Sequence, residues 1–123
     1  MSTRFLAGAA SVLGALAVAA GAFGAHALRS QITPELLSAF ETGARYQMYH
    51  ALALFGAAWM AGHGANPEAA WAGRFFILGT ILFSGSLYAL ALTNDHRLGV
   101  VTPIGGACYI VGWIVLAVGA RKI

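Results

Sequence analysis

The sequence predicts an all-α membrane protein, a four-transmembrane-helix bundle with an interfacial amphipathic helical segment before the second span. Of its 123 residues, 59% are hydrophobic and only 9% are charged, whereas roughly a quarter of the residues of a soluble domain are charged. The apolar residues form four long stretches separated by short polar segments. Because a small domain exposes a large share of its surface, so few charges indicate that lipid is the main solvent.

The chain is expected to form one domain, 1–123, with spans at about 5–28, 46–62, 71–93 and 103–120. About 20 helical residues cross a hydrocarbon core. Helix is expected because backbone amides in lipid need internal partners, and the alternating pattern of a β-barrel is absent. Pairs of small residues four apart are candidate packing seams: Ala10 with Gly14, Ala17 with Gly21, Gly21 with Ala25, and Cys108 with Gly112.

The first stretch carries no charge between Arg4 and Arg29. An alternative interpretation is a secretory signal, because Ala25-His26-Ala27 matches an A-x-A cleavage site after an apolar run. The run is longer than a usual signal core, and the rest of the chain is equally apolar. Both features favour a retained membrane span.

The amphipathic segment, at about 34–46, begins with the helix-start pattern Thr33-Pro34-Glu35. Apolar side chains fall on one side of this segment: Leu36, Leu37, Phe40, Ala44 and Met48. Glu41 and Arg45 are spaced for an ion pair one turn apart. We expect one helix, or a bent pair, that lies along the interface and then enters the bilayer.

The last two spans are separated by the polar segment 94–102, and Pro103 suits the first turn of the final helix. Within the third span, Ser84 and Ser86 flank Gly85. No Gly-x-Ser-x-Gly pattern surrounds them. We therefore interpret these serines as a packing motif whose hydroxyls bond to backbone carbonyls within or between helices.

Composition also bears on partners and cofactors. The formal charge is +3, but the seven Lys and Arg residues are scattered, so nucleic acid is not an expected partner. Cys108 is the lone cysteine and permits neither an internal disulfide nor a zinc cluster. No metal or other cofactor is expected, and no catalytic set is apparent, so the chain is not expected to be an enzyme.

Orientation is predicted from the loop cations, which membrane proteins concentrate on the cytoplasmic side. One side carries Arg4, Arg74, Arg121 and Lys122, and the other carries Arg29, Arg45 and Arg97. We expect a multi-pass protein of the bacterial inner membrane, and this excess of cations predicts that both of its termini lie in the cytoplasm.

Several strings of the sequence recur in one protein family. They are Gly21-Ala22-Phe23-Gly24-Ala25-His26-Ala27-Leu28, Tyr46-Gln47-Met48-Tyr49-His50-Ala51-Leu52, Phe83-Ser84-Gly85-Ser86-Leu87-Tyr88, Thr102-Pro103-Ile104-Gly105-Gly106 and Gly112-Trp113. With these strings in this order, essentially the whole chain resembles the bacterial family called domain of unknown function 423, which is similar to the eukaryotic transmembrane protein 256. The resemblance implies a small membrane protein of several helices and brings no activity, substrate or catalytic residue.

Polar side chains are expected to gather at one end of the bundle, where the first span ends, the second begins and the third ends. They are His26, Arg45, Tyr46, Gln47, His50, Asn94, Asp95 and His96. These groups are expected either to tie the helix ends together or to bind a small ligand or lipid headgroup. A haem or metal site between His26 and His50 is a further alternative.

Three function classes remain open from the sequence. The first is a structural or accessory module that contacts membrane lipid, its own copies or a larger membrane complex. The second is ligand binding or transport, although coupled carriers usually keep a carboxylate at membrane depth. The four acidic residues here all fall in loops or interfacial segments: Glu35, Glu41, Glu68 and Asp95. The third is a membrane enzyme that uses His26 and His50.

Overall fold

Four helices follow one another through residues 2–123, the part of the chain that this computed structural model describes. They are α1 (Thr3–Leu28), α2 (Pro34–Ala61), α3 (Pro67–Thr93) and α4 (Val101–Ala120), with a short 3₁₀ turn, His96–Val100, before α4. No β-strand occurs among the described residues. The prediction of an all-α fold is therefore confirmed.

The helices alternate in direction, so the bundle has two ends. At the terminal end, the start of α1 and the end of α4 meet the 62–66 loop, where Asn66 Nδ2 donates to the Gly119 carbonyl at 2.9 Å. At the loop end, the 29–33 and 94–100 segments join the helices, and Leu28, Phe40 and Ala91 form a buried apolar cluster.

Three helices are long and apolar enough to cross a membrane: Thr3–Leu28, Pro67–Thr93 and the segment His96–Ala120, which contains α4. The 28 residues of α2 are long enough but less apolar, because this helix carries three charged side chains and two buried polar ones. Of the four spans expected, three are therefore matched by helices with the length and composition of a membrane span, and α2 matches in length only.

Side-chain caps explain where the helices begin. The Thr33 hydroxyl accepts from the Leu36 N–H at 3.3 Å, with Pro34 in the first turn, so the helix start expected there is confirmed. Asn66 caps α3 in the same way before Pro67. Because of that cap, α3 begins at Pro67, four residues before the expected start of the third span at about residue 71.

The residues of the expected amphipathic segment and of the expected second span form one unbroken helix, α2, which was one of the two arrangements expected. The ion pair expected between Glu41 and Arg45 does not form, and the Arg45 side chain is exposed. The two ion pairs among residues 2–123 are Asp95 with Arg97 and Glu68 with Lys122.

The α3–α4 interface is built on glycines seven residues apart. A Cβ atom at Gly105 would overlap the Phe83 backbone, and one at Gly112 would lie 2.7 Å from the Phe76 ring. At Gly119, a Cβ would lie 2.8 Å from Asn66 Oδ1. Of the expected pair Cys108 and Gly112, Gly112 lies in this interface, where close contacts occur at three glycines seven residues apart.

The α1–α2 interface is made by alanine and leucine side chains. Leu6, Ala10 and Leu54 are fully buried in one cluster. A Cβ added at Gly14 would lie 3.9 Å from Ala51, an ordinary contact distance, whereas Gly21 faces open space. The seam expected at Ala10 and Gly14 is thus confirmed. The two candidate seams that include Gly21, with Ala17 and with Ala25, are wrong at Gly21.

Candidate functional site

His50 lies near the middle of the bundle, where it joins α2 to α4. It follows Pro34 by 16 residues, which at 1.5 Å per residue is about 24 Å along the helix. The Trp113 Nε1–H donates to His50 Nε2 at 3.0 Å, and His50 Nδ1 lies 2.7 Å from the Tyr46 carbonyl. Since indole only donates, Nε2 is the acceptor and the ring proton sits on Nδ1. This arrangement selects one neutral tautomer of His50.

Aromatic rings surround the His50 imidazole. The Tyr109 ring stacks on it at a centroid distance of 3.5 Å and an interplanar angle of 8°. The Tyr109 hydroxyl donates to Thr80 Oγ1 at 2.9 Å, and Thr80 in turn donates to the Phe76 carbonyl. With both imidazole nitrogens engaged, His50 offers no free lone pair to a metal or ligand, so its observed contacts serve to connect helices.

A lateral cleft of about 280 Å³ opens beside His50 toward the outside of the bundle. It is lined by Tyr46, His50, Phe83, Gly106, Tyr109, Ile110 and Trp113. Its walls are mostly aromatic and carry no charged side chain. The cleft therefore suits an apolar or aromatic group that approaches from the lipid, and it does not suit a hydrated ion.

Gln47 forms a second connection at mid-depth, among α1, α2 and α3. Its Nε2 donates to the Leu13 carbonyl at 2.8 Å, and its Oε1 accepts from the Tyr88 hydroxyl at 2.7 Å. One helical turn away, the Ser84 hydroxyl donates to the Gly43 carbonyl at 2.6 Å. We call these bonds, together with the bonds of His50 and Tyr109, the mid-depth network.

The two serines of the third span behave as expected. Ser84 bonds across to α2, as described, and Ser86 lies 2.6 Å from the Thr102 hydroxyl at the start of α4. Ser84 is fully buried. The interpretation of these serines as a packing motif is confirmed.

The remaining residues of the expected end-of-bundle cluster do not share one site. His26 is exposed in the π-helical last turn of α1, and Arg45 is exposed beside a groove between α1 and α2. His50 and Gln47 lie at mid-depth, so their expected position at the end of the bundle was wrong. The physical reason is that α2 continues from Pro34 through Gly43 without a break, which places His50 more than four turns inside it.

Asn94 and Asp95 do lie at the loop end. Asn94 ends α3 in the left-handed conformation, with φ of 56°, which asparagine tolerates well. Asp95 accepts hydrogen bonds from the Arg97 guanidinium and from the Arg97 backbone N–H. These bonds, chiefly those from the guanidinium, lower the pKa of the Asp95 carboxyl.

A cleft of about 430 Å³ lies at the loop end, between the first loop and the end of α3. Its lining consists of Ser30, Gln31, Ile32, Thr33, Leu36, Ala91, Leu92, Thr93 and Asn94. Of the residues expected to bind a ligand, only Asn94 lines it. The site residues expected from the sequence are therefore divided among this cleft, the mid-depth network with the lateral cleft beside it, and the outer surface.

Sequence reasoning missed several members of the mid-depth network, namely Thr80, Tyr88, Tyr109 and Trp113. Thr80, Tyr109 and Trp113 each lie within an apolar run, and Tyr88 follows the serines Ser84 and Ser86. A single hydroxyl or indole in such a place gives no periodic signal. The partners of these four residues lie on other helices and depend on how the helices pack. The sequence did offer one general indication, because a polar side chain inside a membrane span needs a partner on a neighbouring helix.

Comparison with known proteins identifies relatives that all belong to one family of membrane proteins. Residues 20–106 match the family model described as "Protein of unknown function (DUF423)". A UPF0382 membrane protein of Staphylococcus saprophyticus is 44% identical over 116 residues, which is 91% of this chain and 96% of that protein. The UPF0382 inner membrane protein YgdD of Escherichia coli is 39% identical over 123 residues, 100% of this chain and 94% of YgdD.

A third relative, the UPF0382 membrane protein YwdK of Bacillus subtilis, is 45% identical over 111 residues, 87% of this chain and 88% of YwdK. No solved structure matches the chain. The relatives' names state a membrane location and no activity.

Proposed function

Because the chain belongs to the DUF423 family of small membrane proteins, we propose that it crosses the bacterial inner membrane four times and serves there as a scaffold that acts through helix contacts. The observation that carries this proposal is the mid-depth network. Its hydrogen bonds join all four helices, and within residues 2–123 every buried side-chain nitrogen or oxygen atom has a partner.

Chain geometry supports a fourth crossing by α2. The segments 29–33 and 62–66 that flank α2 have five residues each. Fully extended, five residues reach about 17 Å, which is well short of a hydrocarbon core about 30 Å thick. If α1 and α3 cross the membrane, only α2 can carry the chain back between them.

The lower hydropathy of α2 also fits its central position. Its polar side chains Gln47 and His50 point into the bundle and are 4% and 5% exposed. Polar groups in membrane helices are tolerated when they face the bundle interior and find partners there. The charged first turns of α2 would lie at the membrane interface, as expected for the amphipathic segment.

The fourth crossing is tested by labelling single cysteines in a Cys108→Ala background. Ser30→Cys and Ala65→Cys occupy exposed positions in the two loops. A membrane-impermeant maleimide applied to sealed spheroplasts should label Ser30→Cys but not Ala65→Cys, and inverted vesicles should give the reverse. This result would also place both termini in the cytoplasm, since they share an end with Ala65. Labelling of both loops from the same side would contradict the four-span proposal.

A scaffold is favoured over a carrier by the position of the acidic groups. Glu68 forms an ion pair at the terminal end of the bundle, and Asp95 forms one at the loop end. Glu35 and Glu41 lie in the first turns of α2. No carboxylate lines the lateral cleft beside His50, so that cleft lacks the ionisable acid on which proton- or cation-coupled transport commonly depends.

The outward faces of α1 and α4 provide the surfaces for helix contacts. Val18 on α1 is 62% exposed, and Ile110 on α4 is 63% exposed. A photo-crosslinking amino acid at each position, irradiated in native membranes, should give a discrete protein adduct from at least one face. The control is the same amino acid at Ile123, beyond the end of α4, where any adducts give the level of crosslinking from random collisions. Adducts with lipid alone at both positions would contradict a scaffold role.

A second candidate function is the binding of a small polar ligand at the loop end. It is favoured by the 430 Å³ cleft, which contains the side chains of Gln31, Thr33 and Asn94. Native mass spectrometry of the protein extracted with its own lipids should then show a bound small molecule. Gln31→Leu should remove that molecule, whereas Arg97→Gln, outside the cleft, should retain it. A spectrum free of small molecules in the unaltered protein would argue against this function.

A further inference from the structure

Arg74 is a cation placed inside a membrane span. It follows Pro67, the first residue of α3, by seven positions, which corresponds to about 10 Å along the helix. The 18 residues after it, Phe75 to Leu92, include no charged side chain. Arg74 therefore lies near the boundary between the lipid headgroups and the hydrocarbon core.

The Arg74 guanidinium has no acidic partner in the described protein. The nearest acidic residue in sequence, Glu68, is taken by Lys122, whose Nζ lies 2.9 and 2.7 Å from its two carboxylate oxygens. The contact that the structure shows for the guanidinium is with the Trp71 ring, at 4.3 Å from the ring centroid. A guanidinium has five N–H donors in a planar fork, and stacking on an indole leaves them available.

An apolar groove begins at this cation. Trp71, Arg74, Phe75 and Leu78 line a groove of about 100 Å³ on the outer surface of α3. Phe75 and Leu78 lie deeper in the span than Arg74, since α3 runs inward from the terminal end. The groove thus has a charged head near the membrane surface and an apolar floor below it, which matches the order of phosphate and acyl chain in a phospholipid.

The charge around the groove selects the type of lipid. The terminal end carries Arg4, Arg74, Arg121 and Lys122, against the single acid Glu68. A zwitterionic headgroup would bring an ammonium or choline cation into this positive field, whereas an anionic headgroup would not. Trp71 is 53% exposed and supplies an interfacial indole beside the cation.

We infer that Arg74, Trp71 and the groove below them form a binding site for an anionic phospholipid such as phosphatidylglycerol. The guanidinium donates to the phosphate oxygens, the indole holds the guanidinium in place, and an acyl chain lies along Phe75 and Leu78. The inference requires that α3 crosses the membrane. It does not depend on the crossing by α2 or on the scaffold role.

The test is native mass spectrometry of the detergent-purified protein titrated with phosphatidylglycerol or with phosphatidylcholine of the same acyl chains. The unaltered protein should bind phosphatidylglycerol more tightly than phosphatidylcholine. Arg74→Gln should weaken phosphatidylglycerol binding about fivefold, the effect of removing one cation near a membrane surface. Arg97→Gln, which removes an exposed cation at the loop end, should leave it unchanged.

Two further measurements separate the site from a general loss of structure. Arg74→Lys keeps the charge but loses the planar fork and its stacking on Trp71, so its binding should lie between those of the unaltered protein and Arg74→Gln. Phosphatidylglycerol should raise the Tm of the unaltered protein more than that of Arg74→Gln. Equal binding of both lipids by the unaltered protein, or equal loss in Arg74→Gln and Arg97→Gln, would overturn the inference.

Discussion

The α3–α4 and α1–α2 interfaces bring helices together by different means. Between α3 and α4, glycines lie against backbone or rigid ring atoms, as Gly105 does against Phe83. Between α1 and α2, the contacts are made by flexible or small side chains such as Leu6, Ala10 and Leu54. A contact with backbone cannot relax by a rotamer change, whereas a contact between side chains can. The two interfaces should therefore differ sharply in their tolerance of added volume.

The largest effect is expected for Gly105→Ala. The added Cβ would overlap the backbone atoms of Leu82 and Phe83, so α3 and α4 must separate. We expect the free energy of unfolding to fall by about 3 kcal/mol, the upper part of the range for overpacking. The measurement is reversible unfolding in mixed micelles of mild detergent and dodecyl sulfate.

Gly106→Ala is the matched control for Gly105→Ala. A Cβ at Gly106 would lie 3.8 Å from the Phe83 ring, an ordinary contact distance. Its substitution should change stability by less than about 1 kcal/mol, mainly through helix propensity. Equal losses at the two neighbouring glycines would show that the α3–α4 interface relaxes as readily as a side-chain contact.

The sequence was sufficient to predict the four helices, because long apolar runs and the Thr33-Pro34 cap depend only on local chemistry. It was not sufficient to predict the depth of His50. That depth depends on whether α2 continues without a break through Gly43, and local sequence allows either a continuous or a bent helix there. The site expected at the end of the bundle was therefore assembled from residues that the fold separates.

The sequence was also insufficient to predict which glycines of α4 face α3. Sixteen glycines give many chance spacings, and nothing in the sequence distinguishes Gly105 or Gly112, which face α3, from Gly106. The π-helical turn Thr80–Ser84 adds to the difficulty. One such turn rotates all later side chains of the helix relative to a regular α-helical count.

The next largest effect is expected for Gln47→Leu, which removes the hydrogen bond between α1 and α2. The substitution leaves the Tyr88 hydroxyl without its acceptor. We expect a loss of about 1–2 kcal/mol, since a buried unpaired hydroxyl adds to the lost interhelical bond. The same micellar unfolding measures it.

The double variant Gln47→Leu with Tyr88→Phe sharpens this prediction. Removing the Tyr88 hydroxyl removes the unpaired group, so the double variant should be less destabilised than the sum of the single variants. Strict additivity would indicate that the Gln47–Tyr88 bond contributes nothing to the contact between α2 and α3.

A smaller effect is expected for Trp113→Phe, on the α4 side of the mid-depth network. The change removes the indole N–H that donates to His50 Nε2. It keeps an aromatic ring near Phe76, whose ring centroid lies 5.1 Å from that of Trp113. The loss should be about 0.6 kcal/mol, the average for an interhelical hydrogen bond in a membrane protein.

Trp59→Phe is the control for Trp113→Phe. Trp59 is 53% exposed near the terminal end of α2, and its ring contacts His63. Its substitution should leave the free energy of unfolding unchanged within error. A larger loss at Trp59 than at Trp113 would contradict the assignment of a helix-joining role to the His50–Trp113 bond.

The smallest effect is expected for Gly14→Ala, which adds to the α1–α2 interface the same methyl group that Gly105→Ala adds to the α3–α4 interface. At Gly14 the new Cβ would meet Ala51 at 3.9 Å, where it gains a contact without displacing an atom. Alanine also favours helix over glycine by up to about 1 kcal/mol. We therefore expect Gly14→Ala to be neutral or slightly stabilising in the same unfolding measurement. Destabilisation as large as that of Gly105→Ala would mean that the α1–α2 interface is as rigid as the glycine interface, and that the contrast between side-chain and backbone contacts does not govern this bundle.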